Sequence, residues 1–153
     1  MIPPFEPDTR GTGIEVLSPG IHEATLDEVE QRFSHTPIRM RLMAGLRAGL
    51  TELERAGCTA AYINGSFVTS KAIPGDFDVA WDIVGVDPAV LDSLFWDPRS
   101  VAPPRTAQKL RFFGEFLPNL PVPAGQEDMV AFFQKRREGG TKGIVMVRLG
   151  AAR

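Results

Sequence analysis

The chain has 153 residues, 43% hydrophobic and 24% charged, and its 17 Lys and Arg against 19 Asp and Glu give a formal charge of −2. That length suits one domain, that composition allows a packed core and excludes a disordered or collagen-like chain, and that charge argues against a basic nucleic-acid-binding domain. No apolar run reaches the roughly 18 to 20 residues that cross a bilayer, the N-terminus lacks a signal-peptide pattern, and one cysteine, Cys58, can make neither an internal disulfide nor a thiolate zinc cage, so a cytoplasmic protein without structural zinc is expected.

Residues 1–20 hold four prolines and three glycines with no periodic apolar face, which predicts an N-terminal loop ahead of a domain spanning 21–153. Thr25 and Glu28 have capping-box spacing, so a short helix is expected from Leu26 to Phe33. A longer helix follows, with Thr36 as cap and Pro37 in the first turn. Ile38, Leu42, Leu46, Leu50 and Leu53 form its buried stripe, Arg39, Arg41, Arg47 and Arg55 lie on a solvated face, and Gly57 stops it. CTAAYIN reads as a buried strand ending at Gly65. DFDVAWDIV reads as a second strand, with Asp76, Asp78, Ala80 and Asp82 on one face and Phe77, Val79, Trp81 and Ile83 on the other. Asp87 and Pro88 predict a short helix through about Phe95, and DPRSVAPPR a loop. KLRFFGEFL predicts a strand carrying Lys109, Arg111, Phe113 and Glu115 on one face, QEDMVAFFQKRR a helix closed by Gly139 and Gly140, and TKGIVMVRL a last strand. This order describes an α/β (α+β) domain with helices packed on one sheet.

The chemistry concentrates between residues 65 and 78. An apolar strand ends in Gly65-Ser66, nine residues intervene, and Asp76-Phe77-Asp78-Val79 opens another strand. Aspartates at i and i+2 share a strand face, with Cα atoms roughly 6.5 to 7 Å apart. Two carboxylates so close repel unless a cation sits between them, and Mg2+ or Mn2+, an oxygen-seeking ion, suits such a pair together with substrate phosphates. Gly65 lets the backbone approach a ligand, and Ser66 offers an amide and a hydroxyl to a phosphate oxygen. His22 and His35 lack partners at metal-ligand spacing, Cys58 reads as core, and Lys71, five residues after Ser66, is a candidate phosphate contact.

INGS, nine residues, then DFDV resembles the signature of the nucleotidyltransferase superfamily that includes DNA polymerase beta, kanamycin nucleotidyltransferase and the minimal nucleotidyltransferases of bacterial toxin–antitoxin pairs. SPGIHE, INGSFVTSK, PGDFDVAWD, FFGEF and FFQ through KGIV also resemble a family of uncharacterised bacterial proteins with a nucleotidyltransferase-like fold. The resemblance implies that Gly65 and Ser66 contact a nucleoside triphosphate and that Asp76 and Asp78 bind the magnesium ions that organise attack on the α-phosphate. It also implies a third carboxylate from a neighbouring strand. The closing strand has none, so Glu115 is the candidate, with Lys109 and Arg111 beside it to neutralise phosphates, while Asp82 is left as a rim residue. The expected activity is transfer of a nucleoside monophosphate from a triphosphate to an unidentified hydroxyl acceptor. The alternative is a non-catalytic domain of this fold that binds a nucleotide or a protein partner, in a toxin–antitoxin or phage-defence setting by analogy.

Overall fold

The structure is a computed structural model that describes residues 1–121 and 127–150. Strand β1 (Gly20–Glu23) leads into helix α1 (Leu26–Phe33), whose capping box forms as its sequence requires. The Glu28 amide donates to Thr25 Oγ1, and the Thr25 amide to the Glu28 carboxylate, each at 3.1 Å. Thr36 caps α2 (Pro37–Arg55), which buries Leu42, Met43, Leu46, Leu50 and Leu53. Then come β2 (Ala60–Asn64), a single 3-10 turn at Ser66–Val68, and β3 (Asp78–Trp81). They are followed by α3 (Pro98–Val101), α4 (Thr106–Phe112), β4 (Glu115–Pro118), α5 (Met129–Phe133) and β5 (Gly143–Arg148).

The five strands form one mixed sheet in the order β1-β5-β2-β3-β4. β1 runs parallel to β5 and β3 parallel to β4, while β2 is antiparallel to both β5 and β3. Side chains alternate across the sheet, so register decides what each face carries. One face presents Ala61, Ile63, Val79, Trp81, Phe116, Val145 and Val147 to the main core, beneath α1 and α2. The opposite face carries Tyr62, Ala80 and Ile144 under Val130 and Phe133 of α5. Further along that second face, Asn64, Asp78 and Glu115 stand in one row, because Asn64 pairs with Asp78 and Asp78 with Glu115. The result is the expected α/β class in one domain, and among the described residues no helix is long and apolar enough to cross a membrane.

Several elements differ from the sequence expectation. The run expected as one strand from Lys109 is a helix as far as Phe112. Phe113 then takes a left-handed conformation (φ 65°), and only Glu115–Pro118 is strand. Between Asp87 and Phe95 only Ser93–Phe95 is helical, of the 3-10 kind. The carboxylates of Asp87 and Asp92 accept from the amides of Ala89 and Leu94, and such local bonds compete with a continuous helix. Asp97 does the same to the amide of Arg99 and so caps α3 inside the expected loop. The last helix covers only Met129–Phe133, and Lys135 bridges back to Thr141 instead of continuing it. Gln126, where that helix was expected to start, and positions 151–153 of the expected domain lie outside the described residues. The N-terminal loop is anchored, since Leu17 is in the core and Phe5 bridges to it. β1 was not expected at all.

Candidate functional site

The site begins where β2 ends. Gly65 sits at φ 94°, and a Cβ there would come within 3.1 Å of the Asp78 amide nitrogen and 3.2 Å of the Phe77 Cα. Only glycine both takes that conformation and leaves the two backbone segments in contact. Ser66 Oγ accepts from the Gly75 amide at 3.1 Å and donates to the Asp76 carbonyl at 3.4 Å, so both ends of the connecting loop are fastened at the turn.

Arg39 holds the first half of that loop from the other side. Expected on a solvated helix face, it is 2% exposed. Its guanidinium donates to the carbonyls of Phe33 (3.2 Å), Phe67, Thr69 and Lys71 (2.7 Å each). Five N–H donors in a rigid fork make arginine able to serve four carbonyls at once. Burial lowers its pKa from the usual arginine value.

Asp76, Asp78 and Glu115 converge, each offering one carboxylate oxygen within 4.8 Å of the other two, and each half-buried. Asp78 opens β3 and Glu115 opens β4 at the same level, while Asp76 lies before the strand rather than on it. Glu115 thus reaches the aspartates through parallel pairing of β3 and β4. The Lys109 to Glu115 alternation that first suggested it does not exist.

Crowding shows in the protonation. Asp78 is pushed up to about 7, first by burial, then by the Asp76 charge and by a hydrogen bond and charge from Glu115, with Lys142 opposing. Asp76 is raised by burial and by Glu115, against Lys109 and Lys71. Lys142, just before β5, is lowered by burial while the Asp78 charge works the other way.

The cations divide differently from expectation. Lys109, on α4, reaches Glu115 at 3.2 Å, and Arg105, just before that helix, reaches it at 3.5 Å. Lys71 acts on Asp76 through charge. Arg111 does not join the group. Two residues bring a strand back to the same face but carry a helix about 200° round, so on α4 Arg111 points away from Lys109, pairs with Asp92 at 2.7 Å and lies over the Phe112 ring. Asp82 accepts from the Val84 amide as a turn residue, and Cys58 is core.

Three oxygen donors at this spacing, with no sulfur or imidazole among them, suit Mg2+ or Mn2+ rather than zinc. A second observation also favours a bound ligand. Asn64 is 7% exposed, stands beside Asp78 on the same face, and its Oδ1 has no hydrogen-bond partner. Sequence reasoning placed none of Asn64, Arg39, Arg105 or Lys142 in the site. Of these, Asn64 carried a readable signal, as a polar residue at the end of the apolar run of β2. A cleft of about 510 Å3 lies elsewhere, at the far end of β5 among Glu23, Thr25, Leu50, Glu54 and Arg148.

No curated protein and no solved structure matches the chain. The model of one family, described as a family of unknown function (DUF6932), matches residues 9–148, a span that holds the Gly65-Ser66 turn, all three carboxylates and every cation around them, and the chain therefore belongs to that family.

Proposed function

We propose that the protein is a divalent-cation-dependent nucleotidyltransferase that transfers a nucleoside monophosphate from a triphosphate to a hydroxyl acceptor and releases pyrophosphate. The observation that carries this reading is the convergence of Asp76, Asp78 and Glu115 within 4.8 Å beside the Gly65-Ser66 turn. Asp76, Asp78 and Glu115 would hold Mg2+ or Mn2+, and the ion's chemistry when bound is to neutralise phosphate charge and to activate the acceptor oxygen. Phosphoryl transfer asks the protein mainly for positioning and charge. The turn at Gly65-Ser66 presents backbone to the triphosphate, Lys71, Lys109 and Arg105 supply positive charge around it, and Arg39 keeps the loop between them in place.

The reading is tested by incubating the protein with each labelled nucleoside triphosphate, Mn2+ or Mg2+, and cell extract. Label should appear on an acceptor with wild type and not with Asp78→Asn. One observation favours a non-catalytic nucleotide-binding domain instead, which is that Glu115 is already engaged by both Arg105 and Lys109. That reading predicts cation-dependent nucleotide binding with no transferred label on any acceptor.

A further inference from the structure

Asn64 is the one buried polar side chain of β2, and its buried amide oxygen has no hydrogen-bond partner. A buried acceptor without a donor is costly, whereas an apolar side chain of the same shape at that place would cost nothing. Its surroundings show where a donor belongs. On β5 the second face carries apolar Ile144, and on β3 it carries Asp78, which heads the carboxylate cluster. Directly opposed residues of an antiparallel pair have Cβ atoms about 4.5 to 5.5 Å apart. A molecule held by Asp78 is therefore within reach of Asn64, and carboxylates ionised around a cation bring acceptors, not donors, so the donor to Asn64 has to come with that molecule.

Building on the cation reading above, we propose that Asn64 is a fourth oxygen of the site, its Oδ1 accepting a hydrogen bond from the water shell of a cation held by Asp76, Asp78 and Glu115. Groups that hold a metal's outer shell are worth about 10- to 100-fold in metal affinity. The proposal also makes stability and binding move in opposite directions on substitution, which no purely structural asparagine would do.

The experiment is Mn2+ titration of the full chain, followed by electron paramagnetic resonance of the free ion, with metal-free thermal unfolding alongside. Asn64→Leu should bind Mn2+ about 10- to 100-fold more weakly than wild type while unfolding at the same temperature or higher. Asn64→Asp keeps the acceptor and adds charge, so it should bind Mn2+ more tightly, and this variant decides the matter if the leucine protein does not fold. Wild-type affinity in Asn64→Leu, or no gain in Asn64→Asp, overturns the role of Asn64. A wild-type protein that binds no Mn2+, or an Asp78→Asn protein that binds it equally well, overturns the cation reading itself.

Discussion

The ring of Phe116 fills the space that a side chain on Gly49 would need. One turn earlier on α2, a Cβ on Gly45 would strike the backbone carbonyl of Phe112. The two glycines thus set how deeply α4 and β4 settle against α2, and Glu115 is the residue next to Phe116. Gly49→Ala should destabilise the protein by up to about 2 kcal/mol, an overpacking cost of about 1 to 3 offset by about 1 of helix propensity. Gly75→Ala, which meets open space, should change little. Urea denaturation of the two variants checks the contrast.

Arg39 serves four carbonyls, those of Phe33, Phe67 and Thr69 through buried bonds and that of Lys71 through a part-buried one. Lysine retains the charge but has three donors and no planar fork, so Arg39→Lys should lose at least one of these bonds, at about 1.5 kcal/mol or more. Hydrogen exchange should localise the loss to residues 66–71, with β5 amides still protected. Uniform loss across the sheet would instead make Arg39 a global core residue.

In the cation-free protein Asp78 keeps its proton up to about pH 7 when folded, and only into the ordinary carboxylate range when unfolded. Between those limits the folded state binds more protons, so this group's contribution to stability falls as pH rises. Asp76 has the same sign. Asp78→Asn should therefore gain stability over wild type at about pH 8 and gain much less at about pH 5, read from urea midpoints. An equal difference at both pH values would count against the buried, crowded carboxylate.

Lys109 and Arg111 stood together in the sequence expectation and part company in the fold. Lys109→Ala should weaken Mn2+-triphosphate binding by about 1.5 to 3 kcal/mol, the value of a hydrogen bond to a charged group. Arg111→Ala removes only a surface pair with Asp92 and should leave binding unchanged, with stability within about 1 kcal/mol of wild type. Calorimetry with a non-hydrolysable triphosphate separates them.

How much of this was legible depended on whether a feature was local. Thr25 with Glu28, and Thr36 with Pro37, carry their instructions within four residues, and α1 and α2 start where those residues say. The second face's row was half legible. Asp78 followed from its motif, whereas Glu115 was named from an alternation that the chain breaks at Phe113. What brings it to Asp78 is the parallel pairing of β3 with β4, a long-range fact with no periodic trace. β1 was missed for the same reason, since GIHE has weak strand character of its own and is a strand because β5 lies beside it. Arg39 was misassigned because a helix wheel records what is apolar, and an arginine satisfied by carbonyls is buried without being apolar.

The strand order has a consequence for how the protein is made. β2, β3 and β4 are neighbours in both sequence and sheet, but the other side of β2 is covered by β5, which begins only at Gly143. On the ribosome, the nascent chain exposes the unpaired AAYIN edge while residues 119–142 are still being added, roughly 1 to 5 s at bacterial to eukaryotic elongation rates. An open apolar edge of that kind templates strand addition. The interval before the final strand is therefore when this chain is most exposed to misassembly, and slowing translation across that stretch should lower soluble yield without altering the finished fold.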